Sequence, residues 1–357
     1  MQSHILFALV AILLPKIAAA QSIPSVQATP SVYYSDSSRT GKPFVKDPSV
    51  VRFHGKYFMY YTLLPHSGVQ SAKGSEARGW GIGIATSRDL KHWTKEGEIV
   101  PIQPVEQDGI VAPGARIIRG QVHLFYQSYG HGAKDAICHA YSSDGLHFTH
   151  DPSNPVYRPT NMPWSVGRAI DAEVYLDKPS GKAFLYFATR DPQMKRQMIG
   201  MAKADLSSDF SAGTWTDVST TGPLLQPELA WEQLCIEAPS VTKRGSTYYM
   251  FYAGAYNNTP QQIGVASSVD GEHWTRLSDQ PLLANGPAGS WNSSESGHPG
   301  ILNVDAKTFL FYQGNNDHGE TYYISMVEIL WRNGKPYIKK AAFKAGAQAK
   351  VSDPIRP

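Results

Sequence analysis

Cysteine is scarce in this sequence, which contains only two in 357 residues, Cys138 and Cys235. Two cysteines cannot build a structural zinc site of the four-cysteine kind. An exported protein can join two such residues, but these two fall in different sequence repeats and at different positions within them. We therefore expect both thiols to remain free.

An excess of charge of either sign is also missing. The 33 Lys and Arg residues nearly balance the 30 Asp and Glu residues, and the net charge is +3. Nucleic-acid binding needs a basic stripe that neutralises phosphates, and none is visible, so we predict no nucleic-acid partner. The length allows one large domain or two small ones.

Long apolar runs are absent except near the N-terminus. Residues 5–14 form a run too short to span a bilayer, and small residues follow at 18–20. This pattern predicts a secretory signal peptide over residues 1–20, although no Lys or Arg precedes the run. A buried N-terminal helix is the alternative, which Pro15 disfavours. We expect a mature chain that starts near Gln21, is secreted or periplasmic, acts as a monomer and has no membrane contact after signal removal.

The chain does contain a fivefold repeat of about 60 residues, in which each copy opens an extended, aromatic-rich segment. The five openings are Asp47-Pro48-Ser49-Val50, Ala112-Pro113-Gly114-Ala115, Asp171-Ala172-Glu173-Val174, Ala238-Pro239-Ser240-Val241 and His298-Pro299-Gly300-Ile301. In the fourth copy Glu237 stands one residue earlier. If each copy is one unit around a common axis, these residues lie at equal height, and three carboxylates and a histidine converge at one end.

Each copy also contains β-branched and aromatic runs hinged on tight turns, such as residues 50–53 and 57–61 around Gly55. This is the signal of a β-hairpin, and no helical periodicity competes with it. We predict an all-β fold, a five-bladed β-propeller with four antiparallel strands per blade, over residues 44–340. Residues 21–43 are expected to close or pack on the ring, and 341–357 to form a C-terminal tail. A pair of β-sandwiches is the rival fold, but it does not explain why the polar exceptions share one repeat position.

Three copies carry a further turn that ends in an aromatic residue: Asp89 to Trp93, Asp144 to Phe148, and Asp270 to Trp274. Sugar binding is one interpretation of these segments. We favour structural turns on the outer rim, because they recur with the blades and away from the acids.

The acids at the shared position suggest cleavage of a glycosidic bond. Crowding and burial in a propeller channel raise the pKa of one carboxyl group while another stays ionised. Glycoside hydrolysis needs such a pair, one to protonate the leaving oxygen and one to activate water. Asp47 and Glu237 lie across the ring, where a separation of roughly 6.5–9.5 Å leads to inversion. Asp171 lies beside Glu237 and is placed to raise its pKa.

Each acid has a structural alternative. Asp47, which precedes Pro48, is also consistent with a turn or cap residue. Asp171 is also consistent with an acceptor of a backbone hydrogen bond from a neighbouring strand. Glu237 is also consistent with one half of a buried ion pair with Arg168. We favour catalysis because the three acids share one phase of the repeat.

Further residues are candidates for binding. His298 is a candidate ligand of a channel metal ion, although a lone histidine is more often a hydrogen-bonding residue. Arg168 and Arg190 are candidate contacts for sugar hydroxyl or carboxylate groups. Aromatic side chains can pack on the C–H faces of sugars, with blade packing as the alternative, and the candidates are Phe44, Trp80, Trp164, Trp231 and Trp291.

These motifs resemble those of the family 43 glycoside hydrolases, five-bladed enzymes that act on arabinans and xylans. The resemblance runs from about residue 44 to 335 and rests on residues 46–50, 170–174 and 236–241. It implies Asp47 as general base, Asp171 as pKa modulator and Glu237 as general acid, with inversion at the anomeric carbon. His298 resembles the central histidine of the family, which implies a structural Ca²⁺ or other ion in the channel and no required cofactor.

Two motifs depart from the family pattern. The second blade opens Val111-Ala112-Pro113-Gly114 instead of Trp-Ala-Pro-Asp, and Ala172 follows Asp171 where the family usually has proline. The sequence thus predicts a secreted glycoside hydrolase of poly- or oligosaccharides, with arabinofuranosyl or xylosyl units preferred. Another sugar specificity (a fructan, a mannoside or a marine galactan) and a non-catalytic carbohydrate-binding propeller are the alternatives.

Overall fold

The computed structural model describes residues 31–66 and 79–339. The predicted signal peptide and C-terminal tail, residues 1–20 and 341–357, lie outside the described residues. No helix in the described part is long and apolar enough to cross a membrane. The helices found there are single 3₁₀ turns, at Pro104–Glu106, Gly132–Lys134, Lys178–Ser180 and Ala230–Glu232.

One short strand precedes the ring, and each sequence copy then folds into one antiparallel sheet. That first strand is β1 (Val32–Tyr34). Blade 1 contains β2 (Lys46–Phe53), β3 (Lys56–Leu63), β4 (Gly81–Ser87) and β5 (Thr94–Ile99). Blade 2 contains β6 (Ile110–Ile118), β7 (Gln121–Ser128), β8 (Ala136–Ser142) and β9 (Thr149–His150). Blade 3 contains β10 (Ile170–Asp177), β11 (Lys182–Arg190), β12 (Gln197–Asp205) and β13 (Thr216–Asp217).

The last two blades follow the same order. Blade 4 contains β14 (Ile236–Arg244), β15 (Thr247–Gly254), β16 (Gln262–Ser268) and β17 (Thr275–Arg276). Blade 5 contains β18 (Glu295–Val304), β19 (Lys307–Asn315), β20 (Tyr323–Arg332) and β21 (Lys335–Ile338). The first strands of the blades contact one another in a ring, β2 to β6 to β10 to β14 to β18 and back to β2. The predicted all-β, five-bladed propeller is confirmed.

Blade 5 closes the ring with residues from both ends of the described chain. The strand β1 pairs with the start of β20, at Ile324 and Ser325, and β21 pairs with its end, from Ile329 to Arg332. Both therefore occupy the outer edge of the same blade. This leaves a short edge strand in place of a long exposed one, as closed β architectures require.

Small residues on the innermost strands let neighbouring blades approach closely. A Cβ atom on Gly114 would lie 2.0 Å from the carbonyl oxygen of Ala172, and one on Gly300 would lie 2.2 Å from that of Pro48. The other three blades have a side chain at this position that accepts a hydrogen bond from the next blade. These acceptors are Ser49 for Ala115 N at 2.9 Å, Glu173 for Val241 N at 2.8 Å, and Ser240 for Ile301 N at 3.0 Å.

The hydrophobic core consists of five clusters, each packed between two adjacent blades. The aromatic runs of the second strands supply most of its bulk. Some of their tyrosines also bind the rim turns of the next blade: Tyr60 donates to the Gly145 carbonyl at 2.9 Å and Tyr186 to that of Gly271 at 2.8 Å. The rim turns therefore join blades, in agreement with the structural interpretation that we favoured. The two cysteines are buried and free, as expected.

Candidate active site

The five residues at the shared repeat position all have the same unusual backbone conformation. Their φ angles are 55° at Asp47, 50° at Ala112, 52° at Asp171, 51° at Ala238 and 47° at His298. At each of them the pairing between the first and second strands shifts register, which defines a β-bulge. This left-handed conformation costs a non-glycine residue roughly 1–2 kcal/mol, and bulges re-aim side chains near functional sites. Residues at the same position of the sequence repeat therefore have the same backbone conformation in the fold.

Side chains at and next to these bulges surround one cavity of about 220 Å³. The three predicted catalytic acids, Asp47, Asp171 and Glu237, all line it, and each is less than 9% exposed. Asp47 and Asp171 stand on the bulge of their blades, whereas Glu237 stands one residue before the bulge at Ala238. The remaining lining residues are Lys46, Thr62, Trp80, Val111, Ala112, Gln127, Tyr129, Arg168, Ile170, Arg190, Gln197, Tyr256, Asn257 and His298.

Asp47 is held as an anion. Its Oδ1 lies 3.0 Å from His298 Nδ1, and its Oδ2 accepts a hydrogen bond from Thr62 Oγ1 at 2.6 Å. Burial alone would raise the pKa of Asp47, but attraction to His298 and Lys46 and the bond from Thr62 hold the pKa below its usual value. A buried carboxylate that stays ionised at neutral pH can accept a proton.

Asp171 has the opposite electrostatic character. Burial raises the pKa of Asp171 to about 7, and the negative charges of Glu237 and Asp47 add to the shift against the opposing effects of His298 and Arg168. Its Oδ2 accepts a 3.3 Å hydrogen bond from the backbone N–H of Ala238, next to Glu237. A carboxyl group with such a raised pKa is partly protonated near neutral pH.

Glu237 is positioned by two glutamine amides. Gln197 Nε2 donates to its Oε2, and Gln261 Nε2 donates to its Oε1 at 2.6 Å. No arginine bonds to it in the described part of the chain, and Arg168 instead donates to Asp135 Oδ2 at 3.0 Å. The alternative of a Glu237–Arg168 ion pair is therefore wrong.

Comparison with known proteins identifies the family. The sequence matches the description "Glycosyl hydrolases family 43" over residues 40–336. The chain belongs to glycoside hydrolase family 43. It is therefore a glycoside hydrolase, and this family acts with inversion. No curated protein matches the sequence significantly.

Solved structures share the fold of this family 43 enzyme at low sequence identity. A thermostable family-43 glycoside hydrolase is 18% identical with a TM-score of 0.66, over 85% of this chain and 96% of that one. An endo-1,4-β-xylanase from Bacteroides thetaiotaomicron is 21% identical with a TM-score of 0.62, over 83% and 94%. An exo-1,5-α-L-arabinanase from a bovine ruminal metagenomic library is 19% identical with a TM-score of 0.59, over 84% and 97%.

Of the predicted sugar-binding residues, Trp80, Arg168 and Arg190 line the cavity of the family 43 enzyme, whereas four aromatics do not. The first of the four, Phe44, is buried behind the wall and packs edge-on against Trp80 and Tyr322, with ring centroids 6.0 and 5.1 Å away. Phe44 therefore does not line this cavity, and its contact with a sugar stays a prediction.

Trp164, Trp231 and Trp291 also lie outside this cavity, because they pack within blades, and their contact with a sugar stays a prediction. Each stands seven residues before its bulge, so the sequence repeat already placed them together. A Cβ on Gly254 would lie 2.2 Å from the Trp231 ring, and one on Gly314 2.6 Å from the Trp291 ring. Trp164 donates from Nε1 to the Ser219 carbonyl at 2.6 Å. These tryptophans fill space above the second strands, which explains their recurrence.

His298 lies at the mouth of a narrow channel of about 20 Å³, about the space of one water molecule. Its Nδ1 is engaged by Asp47, and Arg116 donates to the carboxylate of Glu173 on the wall of the channel. Among residues 31–66 and 79–339, no group of three or more His, Cys, Asp or Glu side chains is arranged to hold a metal. The described residues thus form no multi-residue ligand set, and the channel ion stays a prediction.

Several lining residues were not predicted from the sequence. Lys46 stands one residue before its bulge, as Glu237 does, so the repeat phase contained a signal for it. Its Nζ donates to Asn257 Oδ1 at 2.9 Å and lies 5.1 Å from the centre of the Tyr322 ring. Gln197 and Tyr256 carry no such signal, because they come from later strands and loops that the shared phase does not include.

Proposed function

We propose that this family 43 enzyme hydrolyses glycosidic bonds through Asp47 as general base and Glu237 as general acid. The observation that carries the proposal is that three acids from blades 1, 3 and 4 line one cavity with different electrostatic character. Asp47 is held ionised, whereas burial and neighbouring negative charges raise the pKa of Asp171. This division is what a single-displacement mechanism needs.

In the proposed reaction a water molecule attacks the anomeric carbon as its proton passes to Asp47. The bond from that carbon to the leaving oxygen breaks as Glu237 protonates the oxygen. Asp171, whose backbone contact lies next to Glu237, opposes premature loss of that proton through like-charge repulsion. Trp80 supplies an aromatic wall for a sugar ring, and Arg190 and Lys46 supply donors for its hydroxyl groups.

We propose arabinofuranosyl or xylosyl units as the sugars released, and export from the cytoplasm as the setting. The family assignment and the resemblance of the motifs to arabinan- and xylan-acting enzymes support the sugar class. The apolar run at residues 5–14, followed by small residues, supports export. Both are open to direct measurement on purified protein and on culture fractions.

The test is a panel of nitrophenyl glycosides and polysaccharides, assayed with the wild type and with Glu237→Gln and Asp47→Asn. We expect one pentoside class to be cleaved, and each variant to lose at least 10²–10³-fold of kcat on natural glycans while remaining folded, the usual contribution of a general acid or base. Proton NMR should show the inverted anomer first. The retained anomer, or near-native rates in Glu237→Gln, would reject the assignment of roles. Cleavage of fructans, mannosides or galactans alone would reject the sugar class and keep the mechanism.

A further inference from the structure

The side-chain amide of Gln197 lies between two arginines and Glu237. Gln197 is the first residue of β12 and is 1% exposed. Its Oε1 accepts hydrogen bonds from Arg168 Nη1 at 3.1 Å and from Arg190 Nε at 2.9 Å. Since a guanidinium group only donates, the amide oxygen must face the two arginines and the amide NH₂ must face Glu237. The two positively charged arginines therefore determine the orientation of the Gln197 side-chain amide.

Both arginines are kept away from Glu237 by this arrangement. Arg168 is neutralised by Asp135, to which it donates from Nε at 3.2 Å and from Nη2 at 3.0 Å. Arg190 lies over the ring of Tyr256, 5.1 Å from its centre, and forms no ion pair in the part of the chain that the structure describes. Its positive charge is thus available to any carboxylate that comes within reach.

Direct pairing of Arg190 with Glu237 would work against catalysis. An arginine beside a carboxylate stabilises the ionised form, typically by 1–3 pKa units. A general acid must instead keep its proton until the leaving oxygen takes it. An intervening neutral amide holds the carboxyl group in place without adding a full positive charge beside it.

We propose that Gln197 is a positioning residue that separates the guanidinium groups of Arg168 and Arg190 from Glu237 while its amide NH₂ orients the carboxyl group toward the cavity. This inference rests on the proposed role of Glu237 as the acid. The second amide, Gln261, donates to the other oxygen of Glu237 and is hydrogen-bonded to no arginine among the described residues, so the two glutamines have different roles.

Other ionisable groups also act on Glu237, and a pH experiment must allow for them. They come from every element packed around it: Lys46 on β2, Arg168 before β10, Asp171 on β10, Arg190 on β11, Cys235 before β14, Tyr256 after β15 and Glu295 on β18. All of these are unchanged by a substitution at residue 197, so a difference between variants reports on that residue.

The test is Gln197→Glu, which keeps an oxygen for the arginines but replaces the NH₂ donor with a second oxygen. That oxygen and Glu237 must then share a proton, as paired carboxyl groups do. We expect the basic limb of the kcat/KM profile to move to higher pH by about one unit or more. Any carboxylate at this position would raise the pKa of a neighbouring acid, so Gln197→Ala completes the test. With the amide gone the arginines can reach Glu237 and the limb of Gln197→Ala should move to lower pH, whereas a glutamine with only a structural role would leave that limb in place and lower the rate at every pH.

The matched control is Gln127→Glu. Gln127 lines the same cavity and is similarly buried, at 3% exposed, but it donates to Asp135 Oδ2 at 3.0 Å and not to Glu237. The Gln127→Glu variant adds the same negative charge as Gln197→Glu but places it beside Asp135 and not beside Glu237. We expect its basic limb to move by less than half as much as that of Gln197→Glu. An unchanged limb in Gln197→Glu, or equal shifts in both variants, would overturn the proposal.

A second readout does not depend on knowing the substrate. The carboxyl carbon of Glu237 can be followed by ¹³C NMR and assigned by its absence in Glu237→Gln. In Gln197→Glu it should titrate at least one pH unit higher than in the wild type. If the wild type cleaves no glycoside in the panel, the proposed function fails, and this titration still decides the role of Gln197.

Discussion

Blades 2 and 4 are close structural counterparts at the cavity end, yet only blade 4 supplies an acid. Each has a buried glutamate on the short helix before its inner strand, Glu106 or Glu232, which accepts two backbone hydrogen bonds. Both bulges carry alanine, with φ angles of 50° and 51°. One residue before the bulge, however, blade 2 has Val111 where blade 4 has Glu237. The same backbone arrangement thus supplies a candidate catalytic acid in blade 4, and not in blade 2, through the single side chain of Glu237.

The hydrogen-bond partners of Glu232 and Glu106 differ from those of the candidate acid Glu237. Glu232 also accepts from the Tyr252 hydroxyl at 2.7 Å and from two nitrogens of Arg276 at 2.8 Å. Glu106 accepts from Tyr126, and although burial alone would raise the pKa of Glu106, bonds from His150 and Tyr126 hold it below its usual value. In the part of the chain that the structure describes, Glu237 is hydrogen-bonded only to neutral groups, the amides of Gln197 and Gln261 and the Cys235 thiol, and it lines the cavity. Burial alone does not distinguish Glu232 from Glu237, but the positive charge of Arg276 beside Glu232 does.

The largest expected effect that tests this comparison is on stability. Glu232→Gln leaves Arg276 with the exposed Glu228 as its remaining carboxylate partner, and we expect a loss of about 3 kcal/mol in the free energy of unfolding, the lower end of the range for a broken buried pair. Glu237→Gln removes no ion pair among the described residues but turns an NH₂ group toward one of the two donating amides, and it should cost about 1–2 kcal/mol. Urea unfolding of both variants measures the difference. The activity of the folded fraction of Glu232→Gln should remain close to wild type, and equal destabilisation of the two variants would contradict the distinction.

Asp171 provides a prediction that depends on pH. Because its pKa is raised in the folded state to about 7, the folded protein binds a proton more tightly than the unfolded chain between pH 3.8 and 7. Stability attributable to this group is therefore highest below pH 3.8 and falls as pH rises to about 7. Asp171→Asn removes the charge and keeps an oxygen for the Ala238 N–H.

We expect this variant to be inactive and yet more stable than wild type at pH 8, by at most roughly 4 kcal/mol. At pH 3.5 the two proteins should unfold at nearly the same urea concentration. A variant that is less stable than wild type at pH 8 would show that Asp171 is a structural anion, like Glu232.

The smallest effect concerns the bulges themselves. Replacing Ala112 or Ala238 by glycine relieves a left-handed strain of roughly 1–2 kcal/mol and costs about 0.5–1 kcal/mol of chain entropy. Each variant should gain about 0.5–1 kcal/mol, equally in blades 2 and 4. Thermal unfolding measures the gain. Only Ala238→Gly, which adjoins Glu237, should lower kcat, and equal activity losses would argue that both bulges position the acid.

Much of this molecule was predictable from local sequence patterns. The repeat period, the strand pairs and the shared phase of Asp47, Asp171 and His298 led directly to the ring and to its reactive end. The same patterns could not decide the role of Trp164, Trp231 and Trp291, because an aromatic near a predicted cavity and an aromatic that packs on a strand glycine look alike in sequence. The sequence also offered Arg168 as an ion-pair partner of Glu237, whereas in the structure Arg168 pairs with Asp135.

Periodicity and side-chain alternation by themselves determined the number of blades, their strand order and the residues that meet at one end of the axis, since each blade repeats the same local pattern. Only the tertiary structure decided how the charges in the cavity are paired. Gln197 and Glu237 lie 40 residues apart and in different blades, and their contact depends on how two blades pack. A hydrogen bond between two blades follows no repeat in the sequence, so only the folded ring shows it.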